Sequence, residues 1–135
     1  MPRIDLFYYG DLSVGEDPRD HYRDIAEQVV LGEQLGYSGA WVTEHHLNSR
    51  GEIPDPLQLL AYLAGRTSTI RLGSSIVCAP FYYPLRLLES ALQLDAISGG
   101  RLDLGVGSGT GTPEFFRLWG VEREEASDRA AEIAA

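Results

Sequence analysis

Glu44-His45-His46 is the densest group of chemistry-bearing side chains in this 135-residue sequence. It directly follows a strand-like run, Ala40–Thr43. A histidine at a strand end can act as a general base near neutral pH, and a neighbouring carboxylate can orient it. A metal ion shared by His45 and His46 is disfavoured, because adjacent residues of an extended chain point to opposite sides. The stretch also lacks the His-x-x-x-His spacing of a helical metal site. The competing structural reading is that one histidine caps a helix or bonds a backbone carbonyl.

Two further segments carry polar groups at strand ends. Gly105-Val106-Gly107-Ser108-Gly109-Thr110-Gly111 is a glycine-rich strand-to-helix turn, able to bring backbone N–H groups to an anion. It fails the dinucleotide fingerprint, because the sixth position from Gly105 is Thr110, and a tight turn needing positive φ remains open. Ser74 and Ser75 lie in the otherwise apolar run Ile70–Ala79, and buried hydroxyls there need hydrogen-bond partners. Backbone groups are the plain candidates. Phe81-Tyr82-Tyr83 reads as a loop packed over the core. Cys78, with no basic neighbour, reads as a small buried hydrophobe rather than a nucleophile.

These segments need a scaffold that gathers them. Strand-like runs at Ile4–Tyr9, Ala40–Thr43, Ile70–Ala79 and Leu102–Val106 start roughly 30 to 36 residues apart, the length of a βα unit. Asp17-Pro18 and Asp55-Pro56 are helix starts, a capping aspartate followed by proline at the first helical position. Pro84 opens a third helix that Ser98-Gly99-Gly100 stops, and a fourth helical run begins at about Arg123. In parallel α/β folds, ligands sit at the C-terminal ends of the strands. Gly10–Val14, Glu44–Asn48, Pro80–Tyr83 and Gly107–Thr112 should therefore meet at one end of the sheet. A closed (β/α)₈ barrel needs about 250 residues. The expected fold is α/β, either an open sheet or the first four βα units of such a barrel.

Composition narrows the partners. Eleven basic residues, all arginine, stand against twenty acidic ones, for a net charge of −9. With no basic stripe, electrostatic binding to nucleic acid or an anionic membrane is disfavoured. The absence of lysine excludes Schiff-base chemistry and a Walker A loop within these residues. A single cysteine excludes an internal disulfide and suits a reducing cytoplasm. Mean hydropathy of −0.15 fits a soluble globular chain, and no apolar run approaches the roughly 18 to 20 residues of a membrane span. Asp5 stands where a signal peptide would be apolar.

Taken in order, Trp41-Val42-Thr43-Glu44-His45-His46, Arg66-Thr67-Ser68-Thr69-Ile70-Arg71-Leu72-Gly73, Pro84-Leu85-Arg86 and Leu94-Asp95-Ala96-Ile97-Ser98-Gly99-Gly100-Arg101-Leu102-Asp103-Leu104-Gly105-Val106-Gly107 resemble the bacterial luciferase-like flavin-dependent monooxygenases. The resemblance spans nearly the whole chain. It implies that residues 1–135 are the N-terminal half of a luciferase-like (β/α)₈ TIM barrel. It also implies reduced FMN as cofactor, a separate flavin reductase that supplies it, and oxygenation of a small organic substrate such as an aldehyde or ketone. His45 matches the family's active-site base, with Glu44 as its orienter. Ser75, Ile76, Gly107, Ser108, Gly109 and Thr110 would line the flavin, with a non-proline cis peptide expected at Ser75–Ile76. Ser108 stands where luciferases proper carry a phosphate-binding arginine. Relatives that use the deazaflavin F420 and transfer hydride have a similar Gly-Val-Gly-Ser-Gly turn, so F420 is the alternative cofactor.

A rival of another class is a non-catalytic half-barrel or interaction module. In four isolated βα units, inward faces of Ile4, Leu6, Val42, Ile76 and Leu104 are expected to lack the opposite wall. The expectation is a homo-oligomer or an aggregation-prone chain.

Overall fold

The computed structural model describes residues 3–13, 15–47 and 53–134. Val14 and Asn48, named above at strand ends, lie outside the described residues. Four strands form one parallel sheet in the order β1-β2-β3-β4: β1 Asp5–Tyr8, β2 Gly39–Val42, β3 Arg71–Cys78 and β4 Leu102–Gly107. Between and after them run α1 Pro18–Gln34, α2 Pro56–Ala64, α3 Pro84–Ser98, α4 Pro113–Arg117 and α5 Ala126–Ala134.

The helix starts follow the expected chemistry. Asp17 accepts a hydrogen bond from the Arg19 N–H and Asp55 from the Gln58 N–H, each with proline in the first turn. These caps satisfy N–H groups that have no partner within the helix. Gly99 takes the left-handed conformation, φ 73°, that ends α3. The sequence reading missed α4, whose start is built the same way, with Thr112 capping the Phe115 N–H. The run expected from Arg123 opens with a 3₁₀ turn, Arg123–Glu125, before α5.

The N-terminal end of the sheet is locked by polar clamps. Arg101 reaches the carbonyls of Ala64, Thr67, Ile70 and Ser98 and the Thr67 hydroxyl. One guanidinium therefore ties the ends of α2 and α3 to the start of β3. The Glu33 carboxylate accepts from the N–H groups of Ser68, Thr69 and Ile70, which holds α1 to the same turn.

The core lies between sheet and helices, with Val29, Val42, Leu60, Leu63 and Leu72 fully buried. Leu6 and Tyr8 pack against it. This corrects one expectation: Leu6 and Val42 face the helices rather than the barrel interior. Strand side chains alternate, and in-register partners share a face. Leu104 pairs with Ser74, which pairs with Val42, so it belongs to the helix face as well. The inward row is instead Phe7, Trp41, Gly73 and Asp103. On that face the Trp41 Nε1–H donates to Asp5 at 3.0 Å, and Arg71 pairs with Asp103 at 2.5 Å.

Candidate active site

The C-terminal strand ends meet around a cavity of about 430 Å³. That lies within the roughly 300–1,000 Å³ of small-molecule pockets. All eight residues singled out from sequence, His45, Glu44, Ser75, Ile76, Gly107, Ser108, Gly109 and Thr110, line it. Tyr9, Thr43, His46, Cys78, Phe81, Gly111 and Phe115 complete the wall.

Thr43 sets the geometry between β1 and β2. Its hydroxyl donates to the Tyr9 carbonyl at 2.8 Å, and its N–H donates to Tyr8. Tyr9 is thereby brought beside His45, their ring centroids 4.3 Å apart. The His45 N–H donates to the Ile53 carbonyl, fixing the backbone from the other side. Burial, and then the neighbouring His46, pull the His45 pKa below the ordinary 6.5, against the opposing pull of Asp11 and Glu44. A neutral imidazole at the cavity wall can accept a proton.

Glu44 does not bond the residue it was expected to orient. Its side chain is fully buried and holds His46 Nε2 at 2.7 Å. Its other oxygen accepts from the Cys78 N–H at 2.9 Å and the Tyr82 hydroxyl at 3.1 Å. The reason is alternation: residues two apart in extended chain share a side, and His45 points away from both. Glu44 thus joins the end of β2 to the end of β3. The His46 ring packs beside Trp119 and Phe81, at 4.5 and 5.8 Å between centroids.

The third and fourth strand ends supply the remaining wall. The Ser75–Ile76 peptide is cis, and the β3–β4 register shifts between Ser74 and Val77. Ser74, fully buried, donates to the Gly105 carbonyl and accepts from its N–H, the plain backbone role foreseen for it. Gly107 leaves space that a side chain would fill, since a Cβ there would stand 3.1 Å from Ile76 Cδ1. Gly109, at φ 72°, passes equally close to the Cys78 sulfur. Burial, reinforced by Glu44, pushes the Cys78 thiol up to about 12, so it is no nucleophile near neutrality.

Sequence reasoning missed Tyr9, Phe115 and Trp119. Thr112-Pro113, a helix start of the kind read at Asp17-Pro18, was the available signal for the last two.

A parallel βα sheet with a ligand-sized cavity at its C-terminal strand ends is the working end of a (β/α) barrel scaffold. The chain belongs to the luciferase-like monooxygenase family, whose model matches residues 4–135. It is 38% identical over 120 residues to 4-hydroxyprotoasukamycin monooxygenase of Streptomyces nodosus subsp. asukaensis, covering 88% of this chain and 32% of that protein. It is 32% identical over 133 residues to the oxygenase component of the flavin-dependent trigonelline monooxygenase of Acinetobacter baylyi, covering 97% and 37%. The chain therefore spans about a third of the length of these relatives. Among solved structures, monooxygenase RslO1 from Streptomyces bottropensis superposes with a TM-score of 0.92 at 27% identity, over 98% of this chain and 41% of that one. A coenzyme F420-dependent tetrahydromethanopterin reductase from Methanopyrus kandleri superposes at 0.66 with 26% identity, over 88% and 30%. Among the described residues, no helix is long and apolar enough to cross a membrane.

Proposed function

We propose that this chain forms the N-terminal four βα units of a flavin-dependent monooxygenase barrel that uses reduced FMN and O₂ on a small organic substrate. The observation that carries the reading is the convergence of His45, Ile76 and the Gly107–Gly111 turn on one cavity. The cavity suits the ring end of a flavin. It has an apolar face at Ile76 and Phe115, a glycine backbone without side chains, and hydroxyls at Ser108 and Thr110. Among the described residues, no arginine lines it, so the phosphate is held elsewhere in the complete barrel. When bound, reduced FMN supplies the electrons that activate O₂ for transfer of one oxygen atom to the substrate.

The protein's own groups do the rest. His45, oriented by the Tyr9 ring and kept neutral, accepts and returns a proton at the cavity wall. Glu44 fixes His46 and the end of β3, holding the Ser75–Ile76 segment in place. The Acinetobacter relative is named as an oxygenase component, which supports a separate reductase as the source of reduced flavin. The single cysteine, buried and unpaired, suits a cytoplasmic location.

A second reading, F420-dependent hydride transfer on the same scaffold, is favoured by Ser108 at the arginine position and by the Methanopyrus superposition. The test is a fluorescence and NMR titration of this chain with lumiflavin, FMN and F420. Lumiflavin and FMN should bind with equal, weak affinity and shift the His45 and Ile76 signals, because only the ring is gripped here. Sub-micromolar FMN binding would contradict the division of the site. Preferential F420 binding would move the assignment to the second reading, and no response from any of the three would favour a non-catalytic half-barrel.

A further inference from the structure

Tyr82 belongs to a segment that the sequence marks only as a loop packed over the core, and the proposed chemistry does not use it. It stands outside the wall of the candidate site. Its ring walls a separate outer hollow between α2 and α3, beside Leu57, Ala61 and Leu94. From there its hydroxyl reaches inward and donates to Glu44 Oε2 at 3.1 Å. A side chain so placed does not touch a ligand in the cavity, so its influence must pass through Glu44.

The donor sense at Glu44 follows from the groups around it. The Cys78 N–H can only donate, and it does so to Oε2 at 2.9 Å. Burial and the Glu44 charge push the Tyr82 phenol up, so it keeps its proton and donates as well. Oε1 is left to His46 Nε2, 2.7 Å away. A carboxylate only accepts, so the proton between them lies on Nε2. A neutral imidazole carries one N–H, which leaves Nδ1 as an acceptor. The His46 ring lines the cavity. Trp119, Phe81 and Phe115, at 4.5, 5.8 and 6.4 Å between ring centroids, hold it in one orientation.

A buried carboxylate keeps its charge only while donors hold it. Loss of one donor favours uptake of a second proton by the Glu44–His46 pair. That proton turns Nδ1 from acceptor to donor whichever member of the pair carries the charge. If Glu44 takes it, its O–H faces Nε2 and the ring proton moves to Nδ1. If His46 takes it, both ring nitrogens are protonated.

We propose that Tyr82 is a positioning residue of the candidate site: its hydroxyl, through Glu44, keeps His46 in the Nε2–H form and so maintains a bare Nδ1 as a hydrogen-bond acceptor at the cavity wall. The consequence, which rests on the reading of this cavity as a ligand site, is a preference at His46. Ligand groups that donate, N–H or O–H, are favoured there over groups that only accept.

The test uses this chain with its three histidines labelled at the ring nitrogens, in solution or in sedimented assemblies, and it needs no flavin. The titratable groups facing the pair are His45 beside it, Cys78 and Tyr82 at and beyond the end of β3, and Asp55 behind Tyr82. Cys78 and Tyr82 keep their protons across the neutral range, so only the histidines should move there. At the alkaline end of the titration, His46 should carry its proton on Nε2 by about tenfold or more over Nδ1, the scale of a hydrogen bond to a charged group. Glu44→Gln should abolish that preference. Tyr82→Phe should raise the pH midpoint at which Nδ1 takes up its proton by about one unit, the tenfold expected for one lost bond to a charge. Labelling with 3-fluorotyrosine, which makes the phenol a stronger donor without a substitution, should lower the same midpoint. Phenol should shift the Nδ1 resonance saturably, and anisole, a similar ring without a donor, should not. A proton on Nδ1 at the alkaline end, or an equal response to phenol and anisole, including none, would overturn the proposal. So would a midpoint that stays put on fluorination, even if Tyr82→Phe fails to fold, or one that is unchanged or lower in a folded Tyr82→Phe.

Discussion

Roles at the site divide by the direction each side chain takes from the end of β2. His45 faces the cavity edge beside Tyr9, while Glu44 and His46 lie together on the other side. Substitution should separate them in a complete barrel that carries these residues. His45→Ala should lower turnover by about 10²-fold or more, the usual contribution of a general base, with flavin affinity little changed. His46→Ala should act through position, because it removes one of the three partners of the buried Glu44 and loosens the aromatic packing. Steady-state rates and flavin titrations on both variants check this, and reversed effects would exchange the roles. The lowered pKa of His45 has a sign to test as well. Its proton leaves below the ordinary 6.5, so the acidic limb of the rate profile should lie below that value and vanish in His45→Ala. Cys78, pushed up to about 12, should resist iodoacetamide at pH 8 until the chain is denatured, as read by mass spectrometry. The cluster itself was legible in the sequence, because histidines at a strand end are a local signal. The Glu44–His46 bond was legible in principle too, from the two-residue alternation that already separated His45 from His46. Tyr9 was hidden because its contact with His45 joins two strands far apart in sequence.

Elements with a local signature could be read directly, and those defined by pairing could not. The Asp-Pro starts of α1 and α2 announce themselves, whereas the inward and outward faces of the strands depend on register. A shift of one residue in a period-two pattern inverts every side chain, which is why Leu6 and Val42 face the helices and not the interior that the sequence suggests. α4, five residues long, has too short a pattern for periodicity, though its cap was visible. The clamp from α1 to the start of β3 carries the prediction at this scale. Burial opposes ionisation of Glu33, but N–H groups of Ile70, Thr69 and Ser68 and the Thr69 hydroxyl outweigh it and hold the carboxyl at about 2. A carboxyl whose folded pKa lies below its unfolded value stabilises the fold above the unfolded pKa. That stability is lost as pH falls through the folded one. The window here runs from the ordinary glutamate value of 4.5 down to about 2. Thermal melts at stepped pH should show a steeper loss across this window in the natural chain than in Glu33→Gln. Glu33→Gln should also melt lower at pH 7, because a neutral amide oxygen replaces a charged acceptor. Equal slopes would place the acid sensitivity in other carboxylates.

Across the whole molecule, half a barrel mouth is paired with an uncovered interior. The Phe7 ring is 59% exposed on the inward row, and Trp41 on the same face is half-buried. Leu104, on the opposite face, remains 40% exposed. Among the described residues, β1 and β4 each have one edge without a partner strand, and such edges template association unless they are charged, twisted away or covered. Against this stands a net charge of −9 at pH 7, which keeps copies apart and grows weaker toward the sequence pI of about 4.6. Repulsion of this kind is screened beyond about 8–10 Å at physiological salt, whereas strand pairing and ring burial act at contact. Contact should win. Sedimentation velocity across a range of concentrations should show self-association of this chain, stronger in high salt and near pH 5. Phe7→Ser with Trp41→Ser should reduce it if the inward face provides the contact, and leave it unchanged if the strand edges do. A monomer at every concentration, unfolding in one cooperative transition, would show that four βα units with this surface stand alone.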